Sequence, residues 1–246
     1  LPLLKLTNRL KMAISSKSLF HFTSLNNLMN ILDKKYFHVR YSKETFQFRL
    51  STMSYYIPMV CFCDIPLTQT REHIEHYNGY AIGLKRAWGL GHGLNPVFYI
   101  TDNFTNPLEG LELGSTTNST GRRAFDYFFC IIKPYKGMNY KCQPPEGKNF
   151  YNEKEWRYVP MLHGFSDSLQ QIFSEKDFTP DINDRTLSIR NLYKLPFNVS
   201  DINYLIVKSI EEKKSLIQYF LSTDYATAIQ NHDFIVFTVD EIFEEF

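Results

Sequence analysis

Two short apolar segments, about 130 residues apart, each carry an ionisable side chain where a strand ordinarily buries only carbon. One is Leu19-Phe20-His21-Phe22-Thr23, a strand ending in a polar residue just before an amphipathic stretch. The other is Glu153-Lys154-Glu155-Trp156-Arg157-Tyr158, a strand with a carboxylate among aromatics. A buried imidazole or carboxylate costs free energy unless it has a partner or a task. The two segments therefore point to a fold that brings distant strands to one sugar- or nucleotide-binding cleft.

The rest of the pattern mixes strands and helices. Ser24 is placed to cap a helix whose apolar positions Leu25, Leu28, Met29, Ile31 and Leu32 keep helical spacing, ended by Asp33-Lys34-Lys35. Tyr36 to Arg40 reads as extended, and Ser42 to Tyr56 has no clear period. Pro58 to Ile65 is a nearly continuous apolar run, the mark of a buried strand. Thr68 to Tyr77 reads as a helix. Gly79 to Leu84 reads as a strand whose small residues let a backbone or ligand come close. Lys85 to Trp88 is a helical turn broken by Gly89, Gly91 and Gly93, and Pro96 to Ile100 is a strand. Thr101 to Arg123 reads as a long surface loop, Ala124 to Lys133 as a buried helix, and Pro134 to Asn149 as a loop. His163 to Pro196 carries only weak signals. The tail is a β-α-β-α pattern: strand Ile202–Val207, helix Ile210–Leu221, strand Phe234–Thr238, then a helical turn or two.

Charge narrows the function classes. Lys and Arg total 27 against 26 Asp and Glu, so the whole chain gives no electrostatic case for nucleic acid or an anionic membrane. No apolar run approaches the length of a membrane span, no signal peptide is read, and four cysteines without framework spacing fit a reducing cytoplasm. The 21 Phe and 16 Tyr supply a core and also aromatic walls for a pocket.

No phosphate-binding loop, dinucleotide fingerprint, zinc-protease or nucleophile-elbow motif is present. Cys61 and Cys63 share a strand face, and His73 and His76 share a helix face. Core packing is the favoured reading for the thiols, and no metal is expected. Asp64 ends a strand, as a cleft residue or as a cap for the turn at Pro66. Arg122 and Arg123 read as a solvated pair more readily than as a phosphate grip. His21 is either a core histidine satisfied by a backbone carbonyl or a site residue. Glu155 has Glu153 on its own strand face, and Arg157 offers it a structural ion pair.

Beyond these local readings, Phe20-His21-Phe22-Thr23, then Leu28, Ile31-Leu32 and Val39-Arg40, resembles the opening of ADP-ribosyltransferase-like domains, including DNA-modifying toxins of the DarT kind. The stretches Pro58 to Ile100 and Asn149 to Pro160 resemble, more specifically, abortive phage infection proteins of the AbiGi type. The resemblance implies an α+β fold, an ADP-ribosyltransferase-like split sheet with flanking helices, holding NAD+ between two small sheets. It implies one domain over 1–246, with a core of about 18–160 and a C-terminal extension of about 200–246.

Carried over, His21 binds the nicotinamide-side ribose and Thr23 lies near the adenosine half. Arg40 contacts phosphate or assists catalysis, Glu155 is the catalytic carboxylate, and Glu153 is its paired carboxylate. Tyr80 is taken for the middle motif position and Asp64 for a cofactor contact. The glycine usual after the first helix is replaced by Asp33-Lys34-Lys35. Departure of nicotinamide leaves an oxocarbenium-like ribose, which a fixed carboxylate stabilises. The implied function is a phage-defence toxin moving ADP-ribose from NAD+ to a macromolecular acceptor, nucleic acid (RNA included) ahead of protein, with a neutralising antitoxin as partner. The rival is a catalytically inactive antitoxin or sensor that binds a cognate toxin. A third reading is an NAD glycohydrolase.

Overall fold

The fold turns on one long strand that serves two sets of neighbours. The structure, a computed structural model, describes residues 16–47, 52–77, 79–101, 119–139, 146–162 and 170–245. In chain order its elements begin with β1 (Ser18–Thr23), α1 (Leu25–Lys34), β2 (Tyr36–His38), β3 (Arg40–Gln47) and β4 (Thr52–Cys63). Next come α2 (Arg71–His76), β5 (Tyr80–Lys85), α3 (Arg86–Gly91), β6 (Asn95–Pro96) and β7 (Phe98–Ile100). Then follow α4 (Ser119–Cys130), β8 (Ile132–Pro134), β9 (Lys136–Asn139), β10 (Glu146–Asn149) and β11 (Glu155–Tyr158). After these come β12 (Phe173–Ser174), α5 (Glu175–Phe178), α6 (Ile182–Leu192) and β13 (Lys194–Pro196). The chain closes with β14 (Ile202–Val207), α7 (Ile210–Leu221), α8 (Ala226–Gln230), β15 (Ile235–Thr238) and α9 (Val239–Glu245).

The main sheet runs β15-β14-β5-β1-β4-β11-β6, with β3 and β12 also paired to β4. Strands β3 and β12 both pair residues 55 and 56 of β4, so they occupy opposite edges. Strands β1 and β11 both pair Cys63 and so also lie on opposite edges, and β1 and β3, joined through α1 and β2, share one of the two. On that shared edge β1 meets β4 at Phe20↔Cys63 and β3 meets it at Arg40↔Met59. Between these two points the sheet is split. Strand β1 stays fully paired with β5 out to Thr23↔Tyr80 while it leaves β4.

Local sequence accounts for the pieces around the split. The Ser24 side chain accepts from the Asn27 N–H and starts α1. Leu28 and Leu32 on its inner face are fully buried. Lys35 ends it at φ 53, the left-handed conformation that glycine usually supplies. Its carbonyl accepts from Phe197 N, and its ammonium pairs with Asp224.

The tail joins the same sheet. Strand β14 pairs antiparallel with β5 and parallel with β15, and Leu19, Ile82, Leu205, Phe220 and Phe234 share one core cluster. Segment 170–196 is also woven in, through β12 on β4 and β13 on β2.

Several expectations change. The unpatterned stretch from Ser42 is a β hairpin, β3 with the first half of β4. The expected helix Ala124–Lys133 is α4 followed by strand β8, which runs parallel to β7. Gly89 and Gly91 lie inside α3 rather than breaking it, and a Cβ on Gly89 would stand 2.6 Å from Leu19. The close approach expected at Gly79–Leu84 is made by a side chain: a Cβ on Gly83 would lie 2.7 Å from the Phe20 ring. The expected loop Pro134–Asn149 contains β9 and β10 as an antiparallel pair. Most of the expected loop Thr101–Arg123 lies outside the described residues, as do the side chains of Arg122, Arg123 and His76, and Cys142.

Candidate functional site

A cavity of about 1020 Å³ opens at the split. His21 and Thr23 of β1, Arg40 of β3, and Glu153 and Glu155 from the segment leading into β11 all line it. The structure thus brings together five of the seven residues singled out from the sequence.

Tyr80 and Asp64 are not on its wall. Tyr80 lies on β5, across β1 from the split, and its hydroxyl donates to Glu212 Oε1 at 2.8 Å. That bond ties β5 to the first turn of α7. Burial first, and then Glu212, push the Tyr80 phenol up to about 12. Asp64 follows the end of β4 and accepts from Arg86 Nη2 at 2.9 Å. Its backbone N–H donates to the Lys154 carbonyl, so it pins the turn before Glu155 instead of facing the cavity.

His21 sits in the split itself. Its Nδ1 lies 2.8 Å from the Cys61 carbonyl, so Nδ1 carries the proton and Nε2 keeps a lone pair. The ring packs on Phe37 and Phe62. Burial, with Arg40 adding to it, lowers the pKa against the Cys61 bond, and the imidazole is held neutral. His21 is satisfied by a backbone carbonyl, and it also lines the cavity.

One part of the cavity is a buried ionic network. Glu155 is 4% exposed, and its Oε1 accepts from Arg157 Nε at 2.6 Å while Oε2 pairs with Lys133 Nζ at 2.6 Å. Arg157 is fully buried. Its Nη2 donates to Glu44 Oε1 at 2.6 Å, and its Nη1 to the carbonyls of Cys130 and Ile132. Glu153 accepts from the Tyr77 hydroxyl at 2.7 Å and pairs with Lys148 at 3.0 Å and Lys133 at 3.5 Å. Three carboxylates and three cations are thereby matched in a place too dry to leave any of them alone.

Burial pushes the Glu155 carboxyl up, but Arg157 and Lys133 outweigh it and hold it well below the usual carboxylate range. Glu153 is lowered too: burial acts against Lys133 and loses. Lys133 is lowered by burial and raised further by Glu155 and Glu44, so it stays an ammonium. Among the described residues each Glu155 oxygen accepts one hydrogen bond, which leaves a second lone pair on each.

Glu153 is not on the strand that carries Glu155. It ends a 3-10 turn, Phe150–Glu153, and Lys154 at φ 45 redirects the chain between the two carboxylates. Sequence reasoning misses Lys133 and Glu44, because the first reads as the end of a helix and the second falls in the unpatterned stretch. The alternation Glu44-Thr45-Phe46 on an edge strand is the available signal.

A second, basic group lies on the same cavity wall. Lys34, Arg40 and Arg190 all line the cavity, and among the described residues none of the three has a carboxylate within ion-pair distance. Cys61 and Cys63 also line the wall, with thiols that burial pushes up, so neither is a thiolate nucleophile. Among the described residues no group of three or more His, Cys, Asp or Glu is placed to hold a metal ion.

These shifts fix the pH response. A depressed carboxylate stabilises the fold above its unfolded pKa, about 4.3 for Glu, and loses that stabilisation as pH falls toward its folded value. A histidine with a lowered pKa likewise begins to cost stability below its unfolded pKa, about 6.5. His21 and His38 are both lowered, burial first. The urea midpoint should be flat from about pH 8 to 7, fall gently below about 6.5, and fall steeply below about 4. A midpoint that rises on acidification would refute this account of the network.

The comparisons with known proteins agree on one family. A family model described as "Putative abortive phage resistance protein AbiGi, antitoxin" matches residues 33–208, well over half of the chain. The chain belongs to the AbiGi family. A curated relative from Lactococcus lactis subsp. cremoris, "Abortive phage resistance protein AbiGi", is 31% identical over 201 residues, covering 67% of this chain and 77% of the relative. This AbiGi-family chain is thus related to abortive phage resistance proteins, and no solved structure matches it. The matched span holds Arg40, Lys133, Glu153, Glu155, Arg157 and Arg190, and begins after His21 and Thr23. Among the described residues no helix is long and apolar enough to cross a membrane.

Proposed function

We propose that this AbiGi-family protein acts in phage defence by binding NAD+ in the split-sheet cavity and transferring ADP-ribose to a macromolecule. The observation that carries this reading is the convergence of His21, Arg40 and Glu155, from three separate parts of the chain, on one cavity that holds a fixed, ion-paired carboxylate and, apart from it, a group of cations with no carboxylate partner among the described residues. A dinucleotide has the complementary layout. Its nicotinamide-ribose develops positive charge on cleavage, and its pyrophosphate is negative.

In this reading the ribose lies at Glu155, whose remaining lone pairs accept its hydroxyls, and His21 Nε2 accepts another. The C1′–N bond breaks with both electrons leaving on nicotinamide, and the Glu155 carboxylate stabilises the oxocarbenium-like centre. An acceptor hydroxyl or nitrogen then bonds to C1′ and gives its proton to Glu153. Arg157 and Lys133 keep Glu155 ionised while it is buried, which meets the requirement that a buried catalytic carboxylate have partners.

The test is incubation of the purified protein with NAD+ labelled in its adenylate phosphate and a phage-infected lysate, followed by separation of protein, RNA and DNA. Label in one fraction is the expected result and names the acceptor class. The family description favours a second reading, an antitoxin that binds a cognate toxin without turnover. Free nicotinamide at background level, with a neighbouring gene product co-purifying, would establish that reading instead. Free ADP-ribose with no labelled macromolecule would identify a glycohydrolase.

A further inference from the structure

We infer that Arg190, from the last turn of α6, joins Lys34 and Arg40 in a phosphate-binding site on the cavity wall. This gives the segment beyond residue 170 a binding role in addition to its structural one. The inference rests on the proposed function for the nicotinamide half of the ligand, but not for its phosphates.

The first observation is the contrast among the cavity's own cations. Of the cations on its wall, Lys133 pairs with Glu155 and Lys43 with Glu175 at 2.5 Å, while Lys136 is exposed and has no ion pair among the described residues. Lys34, Arg40 and Arg190 line the same cavity from three different elements, and none is paired among the described residues. Cations brought together without a counter-charge repel one another, and a bound anion relieves that cost.

Arg40 feels Arg190, and His38 feels all three cations. Arg40 is lowered by burial and then by Arg190, and His38 is lowered by burial and then by Arg190, Lys34 and Arg40. Lys34 and Arg190 both close helices, where the helix dipole favours a cation. That preference explains each singly. It does not explain their convergence with Arg40, which starts a strand.

The second observation is how Arg190 is held. His38 Nδ1 lies 3.2 Å from the Arg190 carbonyl, so the ring donates to it. The Val39 N–H donates to the Tyr193 carbonyl, and β13 pairs with β2 through Lys194↔His38. The end of α6 is therefore fixed on the strand that leads into Arg40. A site built on paired strands and a docked helix end holds its geometry without a ligand.

The chemistry selects a phosphate-bearing ligand, because Glu44, Glu153 and Glu155 are matched by Arg157, Lys133 and Lys148, which, apart from the exposed Lys136, leaves the unmatched positive charge of the wall at Lys34, Arg40 and Arg190. A volume of about 1020 Å³ accommodates a dinucleotide.

The test is calorimetric titration of inorganic pyrophosphate and, separately, NAD+ into the wild type, Arg190→Ala and Lys34→Ala at low salt. Lys34 is exposed, so its variant keeps the test open if Arg190→Ala folds poorly. The expected result is pyrophosphate binding by the wild type, weakened about ten-fold in each variant, with NAD+ weakened alike. Unchanged pyrophosphate and NAD+ affinities in both variants would overturn the phosphate site while leaving the proposed function standing. Loss of pyrophosphate binding in the variants, with no NAD+ binding by the wild type, would support the phosphate site and overturn the NAD+ reading. Binding of neither ligand by the wild type would overturn both.

Discussion

Replacing Arg157 by methionine is expected to destabilise the protein by about 3–5 kcal/mol, the cost of breaking a buried charge network by removing one member. Arg157 is fully buried and bonds two carboxylates and two carbonyls at once, so no other cation can take its place. Methionine fills much of the volume and satisfies none of the four acceptors. Glu44 and Glu155 are then left to Lys133, which stands 3.6 Å and 2.6 Å from them. Urea denaturation at pH 7 measures the loss. A change below about 1 kcal/mol would place the network in a wetter, weaker environment than its burial indicates.

Glu155→Gln is expected to lower NAD+ cleavage by at least about 10²-fold, the scale of losing a preorganised charge at the reacting centre. The sequence alone predicts that this substitution leaves the fold intact. The structure alters that expectation. The amide oxygen of the new side chain can still accept from Arg157, but Lys133 loses its strongest partner, at a cost of about 1–3 kcal/mol. The rate comparison therefore has to be made below the unfolding midpoints of both proteins, with folded fractions checked by near-UV circular dichroism. Equal cleavage rates for fully folded wild type and Glu155→Gln would remove Glu155 from the chemistry and leave it a purely structural anion.

The sequence is most informative where burial is continuous. Strand β1, helix α1 with its Ser24 cap, and the tail from Ile202 apart from the short helix α8 are readable, since each has an apolar period or run that only one element satisfies. The hairpin β3–β4 is not, because one of its faces lines a cavity. Ser42, Glu44, Thr45 and Ser54 interrupt the alternation that marks a strand packed against a core. The run Ala124–Lys133 is apolar throughout and does not reveal where α4 gives way to β8. That ambiguity hides Lys133, the cation shared by all three carboxylates.

The candidate site shows the same division. His21 and Glu155 stand out as ionisable residues in apolar strands, Arg40 is singled out by the family resemblance alone, and all three line one cavity. Tyr80 is taken from the resemblance as the middle motif position on its strand, but that strand pairs with β1 on the side away from the split, and no local pattern shows which edge of a strand will part. Arg190 has no local signal at all: its relevance follows from β13 pairing with β2, a contact spanning about 150 residues of chain.

The most direct measurement of the central claim is nicotinamide release from NAD+ by the wild type and by His21→Ala, each in the presence of infected-cell lysate. His21 is half-buried and neutral, and its hydrogen bond among the described residues is to a carbonyl, so its loss should spare the fold. The account predicts time-dependent release by the wild type, reduced at least about ten-fold in His21→Ala with little change in melting temperature. Release at the level of lysate alone, together with no thermal stabilisation of the wild type by millimolar NAD+, would contradict it.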